Sequence, residues 1–135
     1  MLFIYCSGEV RSGWYENGKR YIGEFKNDLR DGHGAETWDN SCESYLGSFK
    51  KGMMHGMGVQ KCVIGTFRGA FIKNKRNGPG SCQFRHSLSY DGWWKDDQMW
   101  GHGKLSERTI EFYRGEFVKN QVMGEGRMFC LSWNR

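Results

Sequence analysis

Proline and long apolar runs are the scarcest features of this 135-residue chain. It holds a single proline, which excludes a collagen-like repeat and a proline-rich linker. The apolar stretch from Met1 to Cys6 is far shorter than the roughly 18 residues that a membrane-spanning helix needs, and no basic region precedes it. The sequence therefore predicts neither a signal peptide nor a membrane-spanning helix.

Cysteines are few, odd in number and poorly spaced for cross-linking. The five Cys include no Cys-x-x-Cys pair, and without a signal peptide this pattern favours reduced thiols over a disulfide framework. We therefore expect a cytoplasmic protein.

Glycine and aromatic residues are abundant and share one period. Among the 20 Gly, 9 Phe, 6 Trp and 6 Tyr, an aromatic-x-Gly-x-aromatic motif recurs five times, every 22 to 24 residues. The motifs are Tyr21-Gly23-Phe25, Tyr45-Gly47-Phe49, Phe67-Gly69-Phe71, Tyr90-Gly92-Trp94 and Tyr113-Gly115-Phe117. A residue that tolerates a left-handed backbone follows each leading aromatic by seven positions, namely Asp28, Gly52, Asn74, Asp97 and Asn120. A Gly-x-Gly comes next every time, beginning at Gly32, Gly56, Gly78, Gly101 and Gly124.

This period predicts β-hairpins. Side chains at i, i+2 and i+4 of a strand lie on one face, so the aromatics should pack inward, and the intervening Gly leaves room for a ring from the neighbouring strand. The turn residue and Gly-x-Gly then lead into a second strand with weaker alternation. Three or more glycines in each unit disfavour helix.

The motifs closely resemble the MORN repeat (membrane occupation and recognition nexus). The resemblance covers five units, 21–44, 45–66, 67–89, 90–112 and 113–135, with a partial repeat in 1–20. It implies an all-β fold, an elongated single-sheet solenoid of consecutive antiparallel hairpins, with ten or eleven strands. The second turns depart from the family pattern at Ser41-Cys42, Val63-Ile64, His86-Ser87 and Thr109-Ile110, which disfavours two-residue type I′ turns there.

Positive charge is concentrated in the third unit and the turn before it. Residues 67–89 carry five basic residues and no acidic one. Because equivalent turns should lie about 10 Å apart, we expect Lys50, Lys51, Lys73, Lys75 and Arg76 to share one edge. Two interpretations stay open: the charges keep the edge soluble and unpaired, or they bind an acidic protein or a phospholipid headgroup.

Trp93 is the aromatic most suited to contact a partner, because it lies on the outward face beside Trp94. The other rings are tied to the glycine period and should be packed, so stacking of single-stranded nucleic acid is not expected. His33, His55, His102, Cys62 and Cys130 could suggest a metal site, but equivalent positions in successive units are about 10 Å apart and do not converge on one ion. No cofactor site or catalytic grouping is recognisable, so the sequence does not predict an enzyme.

The resemblance implies a non-catalytic repeat scaffold for protein–protein interaction in a cytoskeletal or ciliary/flagellar assembly. Its alternatives are a membrane-apposition module that binds anionic phospholipids and a regulatory segment of a larger enzyme. The expected partner is an acidic protein surface, with anionic phospholipid as the second choice and no nucleic acid. Unpaired strand edges near Met1 and Arg135 would also allow end-to-end self-association.

Overall fold

One antiparallel sheet accounts for almost all of the described chain. The computed structural model describes residues 10–14, 18–38 and 43–128, with side chains described at 18–38 and 43–123. The strands are β1 (Val10–Trp14), β2 (Lys19–Lys26), β3 (Leu29–Trp38), β4 (Ser44–Lys50), β5 (Met53–Cys62), β6 (Gly65–Ile72), β7 (Lys75–Phe84), β8 (Leu88–Lys95), β9 (Gln98–Glu107), β10 (Ile110–Val118) and β11 (Gln121–Met128).

The strands follow each other across the sheet in chain order. The order runs from β1 to β11 without a crossover, and every neighbouring pair is antiparallel. This confirms the predicted single sheet of consecutive hairpins. Nothing in the described residues is helical and apolar over a length that could span a membrane.

Ten aromatic rings form a continuous ladder on the inner face. Each ring meets the next edge to face, with centroids 4.9–5.3 Å apart and planes 81–89° from parallel. In order along the ladder they are Phe25, Tyr21, Phe49, Tyr45, Phe71, Phe67, Trp94, Tyr90, Phe117 and Tyr113. All ten are buried, which confirms the predicted inner face. The ladder links every unit to its neighbours with the geometry that aromatic quadrupoles favour.

A pair of facing glycines lies beneath the leading ring of each of the first four units. Gly69 pairs with Gly80 across β6 and β7, and a Cβ on Gly69 would lie 2.5 Å from Gly80 Cα and 2.9 Å from Phe67 Cζ. The ring over the pair therefore belongs to the same strand as the first glycine. The expectation that it comes from the neighbouring strand is wrong, because the leading ring folds along its own strand towards the bulge that follows.

Tyrosine hydroxyls bond the backbone at these bulges. Tyr21 donates to the Glu24 carbonyl at 2.8 Å, and Tyr45, Tyr90 and Tyr113 donate to the third residue after each of them at 2.8, 2.8 and 3.0 Å. The register shifts directly after the motif glycine in β2, β4, β6 and β8, and between Arg114 and Glu116 in β10. Phe67 occupies the same position without a hydroxyl.

The first turn of each unit has the predicted left-handed backbone. Both central residues have φ between 48° and 82° in Asn27-Asp28, Lys51-Gly52, Lys73-Asn74, Asp96-Asp97 and Lys119-Asn120. Positive φ at both positions defines the type I′ turn, whose twist matches that of the flanking strands.

The second turns differ from one another, as their sequences suggested. Val63-Ile64 lacks positive φ, and the loop after β7 holds the three residues Arg85–Ser87 in a 3₁₀ turn. The last of these turns was predicted one residue too late: Glu107 pairs with Ile110, so Arg108 and Thr109 form it, with φ 57° at Arg108. The predicted departure at Ser41-Cys42 lies outside the described residues.

Candidate interaction surface

Four lysines lie exposed along the edge formed by two neighbouring first turns. This basic edge consists of Lys50, Lys51, Lys73 and Lys75, each of which is exposed. No carboxylate among the residues with described side chains forms an ion pair with any of the four. Their charges are therefore not neutralised by close pairing within this part of the chain.

The turns that carry the basic edge are latched to the preceding hairpin. The Asn74 amide donates to the Met54 carbonyl at 2.9 Å, and the Met54 amide donates to Asn74 Oδ1 at 2.9 Å. The Lys51 amide donates to Asp31 Oδ2 at 3.2 Å. These bonds fix the backbone of the lysine-bearing turns and leave the lysine side chains exposed.

Arg76 does not share the exposed edge with the lysines, contrary to the prediction. Its guanidinium lies over the rings of Trp94 and Phe67, 5.0 and 5.7 Å from their centroids, and Nε lies 3.2 Å from Asp97 Oδ1. Its side chain is 14% exposed. Cation–π attraction and the carboxylate hold it against the inner face.

Arg30 adopts the same arrangement as Arg76, two repeat units earlier in the chain. Its guanidinium lies 5.2 Å from the Phe49 centroid, pairs with the buried Glu36 carboxylate and donates to the Gly52 carbonyl. The sequence did not lead us to predict that Arg30 and Arg76 pack on the ring ladder. Alignment of the units could have found it, because Met54 and Met99 occupy the slot of the two arginines and pack against the core.

A groove of about 650 Å³ opens between the first two turns, beside the basic edge. Its lining includes Lys26, Lys50, Lys51, His33, His55 and Asp31. The groove gives an anionic group a concave contact with two lysines of the basic edge.

Trp93 lies on the outer face, as predicted, and is 52% exposed. It borders a second cavity of about 380 Å³, together with Asp91, His102, Lys104 and Arg114. Trp93 lies on β8 opposite Pro79 of the neighbouring strand β7, four residues along that strand from Lys75 of the basic edge.

Three histidines each contact a residue of a neighbouring strand or turn. His102 Nδ1 lies 2.9 Å from Glu116 Oε1, His33 Nδ1 lies 3.7 Å from Glu24 Oε2, and His55 Nδ1 accepts from the Lys73 amide at 3.4 Å. No group of three potential ligand residues converges on a metal position within the described residues.

The two described cysteines are free thiols in protected positions. Cys62 Sγ donates to the Gly65 carbonyl at 3.6 Å. Burial raises the pKa of Cys82 to about 11, so its thiolate, the reactive form, is scarce at neutral pH. Cys130 lies outside the residues with described side chains.

The repeat seen in the sheet agrees with comparison to known protein families. A family model described as the MORN repeat matches residues 21–43, 45–67, 67–85, 90–106 and 113–135. The matches start at the five leading aromatics of the ring ladder and together span most of the chain. The family is a non-catalytic repeat module. The chain therefore belongs to the MORN-repeat family.

Proposed function

We propose that this protein is a non-catalytic scaffold whose basic edge binds an acidic surface of another protein in a cytoskeletal or ciliary assembly of the cytoplasm. The observation that supports it best is the exposure of four lysines on two neighbouring turns, none of them in an ion pair with a carboxylate of residues 18–38 or 43–123. Strand spacing places these turns about 10 Å apart.

Charges at this spacing raise the local potential and speed encounter with an anionic partner. Their fields overlap because the turn separation is close to the Debye length of about 8 Å in physiological salt. The lysine side chains carry no packing of the ring ladder, so their charge can be changed without disturbing the core. Trp93 offers a separate apolar contact of the kind that anchors protein interfaces.

A second candidate function is binding to anionic phospholipid. The groove beside Lys50 and Lys51 is concave and basic, which suits a phosphate-bearing headgroup as well as a carboxylate. Lysine binds phosphate as a point charge, without a geometry that would select phosphate over carboxylate. The experiment below therefore has to distinguish an acidic protein from an anionic phospholipid.

The test compares the parent with Lys50→Glu/Lys51→Glu/Lys73→Glu/Lys75→Glu. Binding is measured by pull-down from ciliated-cell lysate at low and high salt with mass-spectrometric identification, and by flotation with vesicles of phosphatidylserine and phosphatidylcholine. We expect the reversal to abolish salt-sensitive capture of cytoskeletal or ciliary proteins and to leave the melting temperature unchanged.

The matched control is Lys19→Glu/Lys61→Glu/Arg85→Glu/Lys119→Glu, which changes the net charge equally but leaves the basic edge intact. Equal loss of binding in both variants would show that binding depends on the net charge of the protein and not on the basic edge. Flotation that depends on the basic edge, without capture of proteins, would overturn the scaffold in favour of the membrane module. Unchanged binding by the edge variant would show that the lysines serve solubility alone.

A further inference from the structure

The outer face carries a polar trough that neither the basic edge nor the ring ladder includes. The outer trough spans β6 to β9 and the turn after β9, and has a volume of about 450 Å³. Its outward side chains are three cations (Arg68, Lys104 and Arg108), one carboxylate (Asp91), five hydroxyls (Thr66, Ser81, Ser89, Ser106 and Thr109) and the amide of Gln83.

Strand register shows how these residues are arranged. One row across the sheet runs through Arg68, Ser81, Asp91 and Lys104, each opposite the next. A second row beside it runs through Thr66, Gln83, Ser89 and Ser106. Arg108 follows at the end of the second row, in the turn after β9. Its backbone amide donates to the Ser87 carbonyl at 2.8 Å.

The trough is positively charged and its cations are available. None of Arg68, Lys104 and Arg108 makes an ion pair with a carboxylate of residues 18–38 or 43–123. By contrast, the neighbouring Arg114 is occupied, since its guanidinium donates to both oxygens of Glu111 at 2.7 and 3.0 Å. Three cations against one carboxylate leave an excess positive charge in the trough.

An apolar contact adjoins this charge. The cavity beside Trp93 shares Asp91 and Lys104 with the outer trough, so an indole that is 52% exposed borders the cationic rows. A ligand that fills both cavities meets one large apolar surface, separated cations and many hydrogen-bonding hydroxyls.

We propose that the outer trough and Trp93 together bind an acidic peptide segment of a partner protein. Carboxylates of the segment pair with Arg68 at one end and with Lys104 and Arg108 at the other, while an apolar side chain packs on Trp93. Arg68 and Lys104 lie three strand spacings apart, about 14 Å, which an extended peptide covers in about four residues. Among the described side chains Trp93 is the one exposed ring that borders the two cavities, which favours a peptide over single-stranded nucleic acid, since nucleic acid uses several rings in succession.

This inference rests on the proposed scaffold function but assigns a different surface from the basic edge. It is tested with a random twelve-residue peptide display library selected on the full chain. We expect enriched peptides to carry clustered Asp or Glu and at least one aliphatic or aromatic residue. Their affinity, measured by fluorescence anisotropy, should fall at least tenfold in Arg68→Gln/Lys104→Gln and in Trp93→Ser.

The control is Lys73→Gln/Lys75→Gln on the basic edge, which should leave the affinity of these peptides within twofold of the parent. Circular dichroism and melting temperature verify the fold of each variant. If selection enriches no acidic peptides, or if they bind the trough variant as the parent, the inference is wrong. If the basic-edge variant alone loses them, the inference fails while the scaffold function stands. Stronger binding of a fluorescent oligothymidine than of any peptide, lost in the trough variant, would also overturn it.

Discussion

At the scale of single residues, two side-chain choices define each unit: a ring and the glycine pair beneath it. The ring needs a surface without Cβ atoms on two adjacent strands, and the glycines provide it. The leading rings of Tyr21, Tyr45, Phe67 and Tyr90 are fully buried in a protein that has one sheet and no covering layer of helix in its described residues. Burial of these rings therefore depends on glycine as much as on their own hydrophobicity.

Gly69→Val should destabilise the fold by about 1 to 3 kcal/mol through overpacking. Any Cβ at this position would meet Gly80 Cα at 2.5 Å and the Pro79 carbonyl oxygen at 2.6 Å, so the strands or the Phe67 ring must move. Urea denaturation measures the loss. Ala70→Val, on the outward side of the same strand, is the control and should change stability far less. Equal stability of Gly69→Val and the parent would contradict the packing described here.

Phe67→Tyr should stabilise the protein by about 0.5 to 1.5 kcal/mol, the usual net contribution of one hydrogen bond. The ring of Phe67 lies over its glycine pair as the tyrosine rings do, so a hydroxyl there would donate to the Ala70 carbonyl. Tyr90→Phe, which removes the bond of 2.8 Å to the Trp93 carbonyl, is the matched reverse change and should lower stability. A drop in melting temperature for Phe67→Tyr would show that the third unit has no room for the hydroxyl.

The exposure of the four turn lysines could be read from their positions in the sequence, whereas the direction of the Arg76 side chain could not. A lysine at a turn is exposed because of its place in the hairpin. Asn74 and Gly52 showed where the two turns lie in the sequence. Arg76 lies two residues beyond the same slot, and its direction depends on Trp94 and Asp97, which belong to the next unit. The outer trough was missed for the same reason: the register of four strands is needed to show that Arg68 and Lys104 lie in one row across the sheet.

At the scale of elements, the turn residue does more than reverse the chain. Asn74, Asp97 and Asn120 each accept a hydrogen bond from the backbone amide of a residue in the preceding unit, at 2.8–2.9 Å, and each donates its own amide to the carbonyl of that residue. The slot therefore latches successive hairpins together. Gly52 makes the main-chain half of the latch, with the Arg30 carbonyl at 2.8 Å, but has no side chain for the other half.

Asn74→Gly should cost about 0.5 to 1.5 kcal/mol, because glycine keeps the left-handed turn and the main-chain bond while the Met54 amide loses its acceptor. Hydrogen exchange at the Met54 amide should accelerate more than at the equivalent Met99 amide, which gives a local readout. Asn74→Asp retains the acceptor, as Asp97 does naturally, and should exchange at the parent rate. Unchanged exchange in Asn74→Gly would show that the side-chain half of the latch is not formed in solution.

The strands were predictable where their turns were. Glycine and aromatic periodicity located the first strand of each unit, and Asn, Asp or Gly located the turn after it. The second turns have no such residue in common, and at the last of them nothing in Thr109 and Ile110 shows which residue begins the next strand. The pairing of Ile110 with Glu107 across β9 and β10 shows where the turn lies. Because pairing depends on two strands, the sequence of one strand alone does not reveal it.

At the scale of the whole molecule, cohesion passes from unit to unit. Each strand pairs only with its neighbours in the chain, and the same is true of each ring in the ladder. Stability is then close to a sum of unit and interface contributions, as in other repeat proteins. An ionisable group that recurs in several units of the ladder therefore contributes to the stability of the protein once for each unit that carries it.

Tyr45 and Tyr90 of the ladder carry such a repeated group, and we expect stability to fall as pH rises above about 10. Burial raises the pKa of Tyr45 and of Tyr90 to about 12, whereas the unfolded chain releases these protons near pH 10. Between pH 10 and 12 the folded state therefore binds more protons than the unfolded state, so the free energy of unfolding decreases with pH. A difference of two pH units corresponds to roughly 2 to 3 kcal/mol for each tyrosine.

Urea denaturation at pH 8, 10 and 11 under reducing conditions measures this decrease, and absorbance at 295 nm reports phenolate formation. Tyr45→Phe/Tyr90→Phe should be less stable than the parent at pH 8, since two hydrogen bonds are lost, but its stability should fall less steeply with pH. The difference in slope is the decisive quantity, because parent and variant share every other ionisable group and differ only in the two phenols. Parallel slopes in parent and variant would mean that these hydroxyls ionise in the folded protein as readily as in the unfolded chain, and would contradict the raised pKa values of Tyr45 and Tyr90.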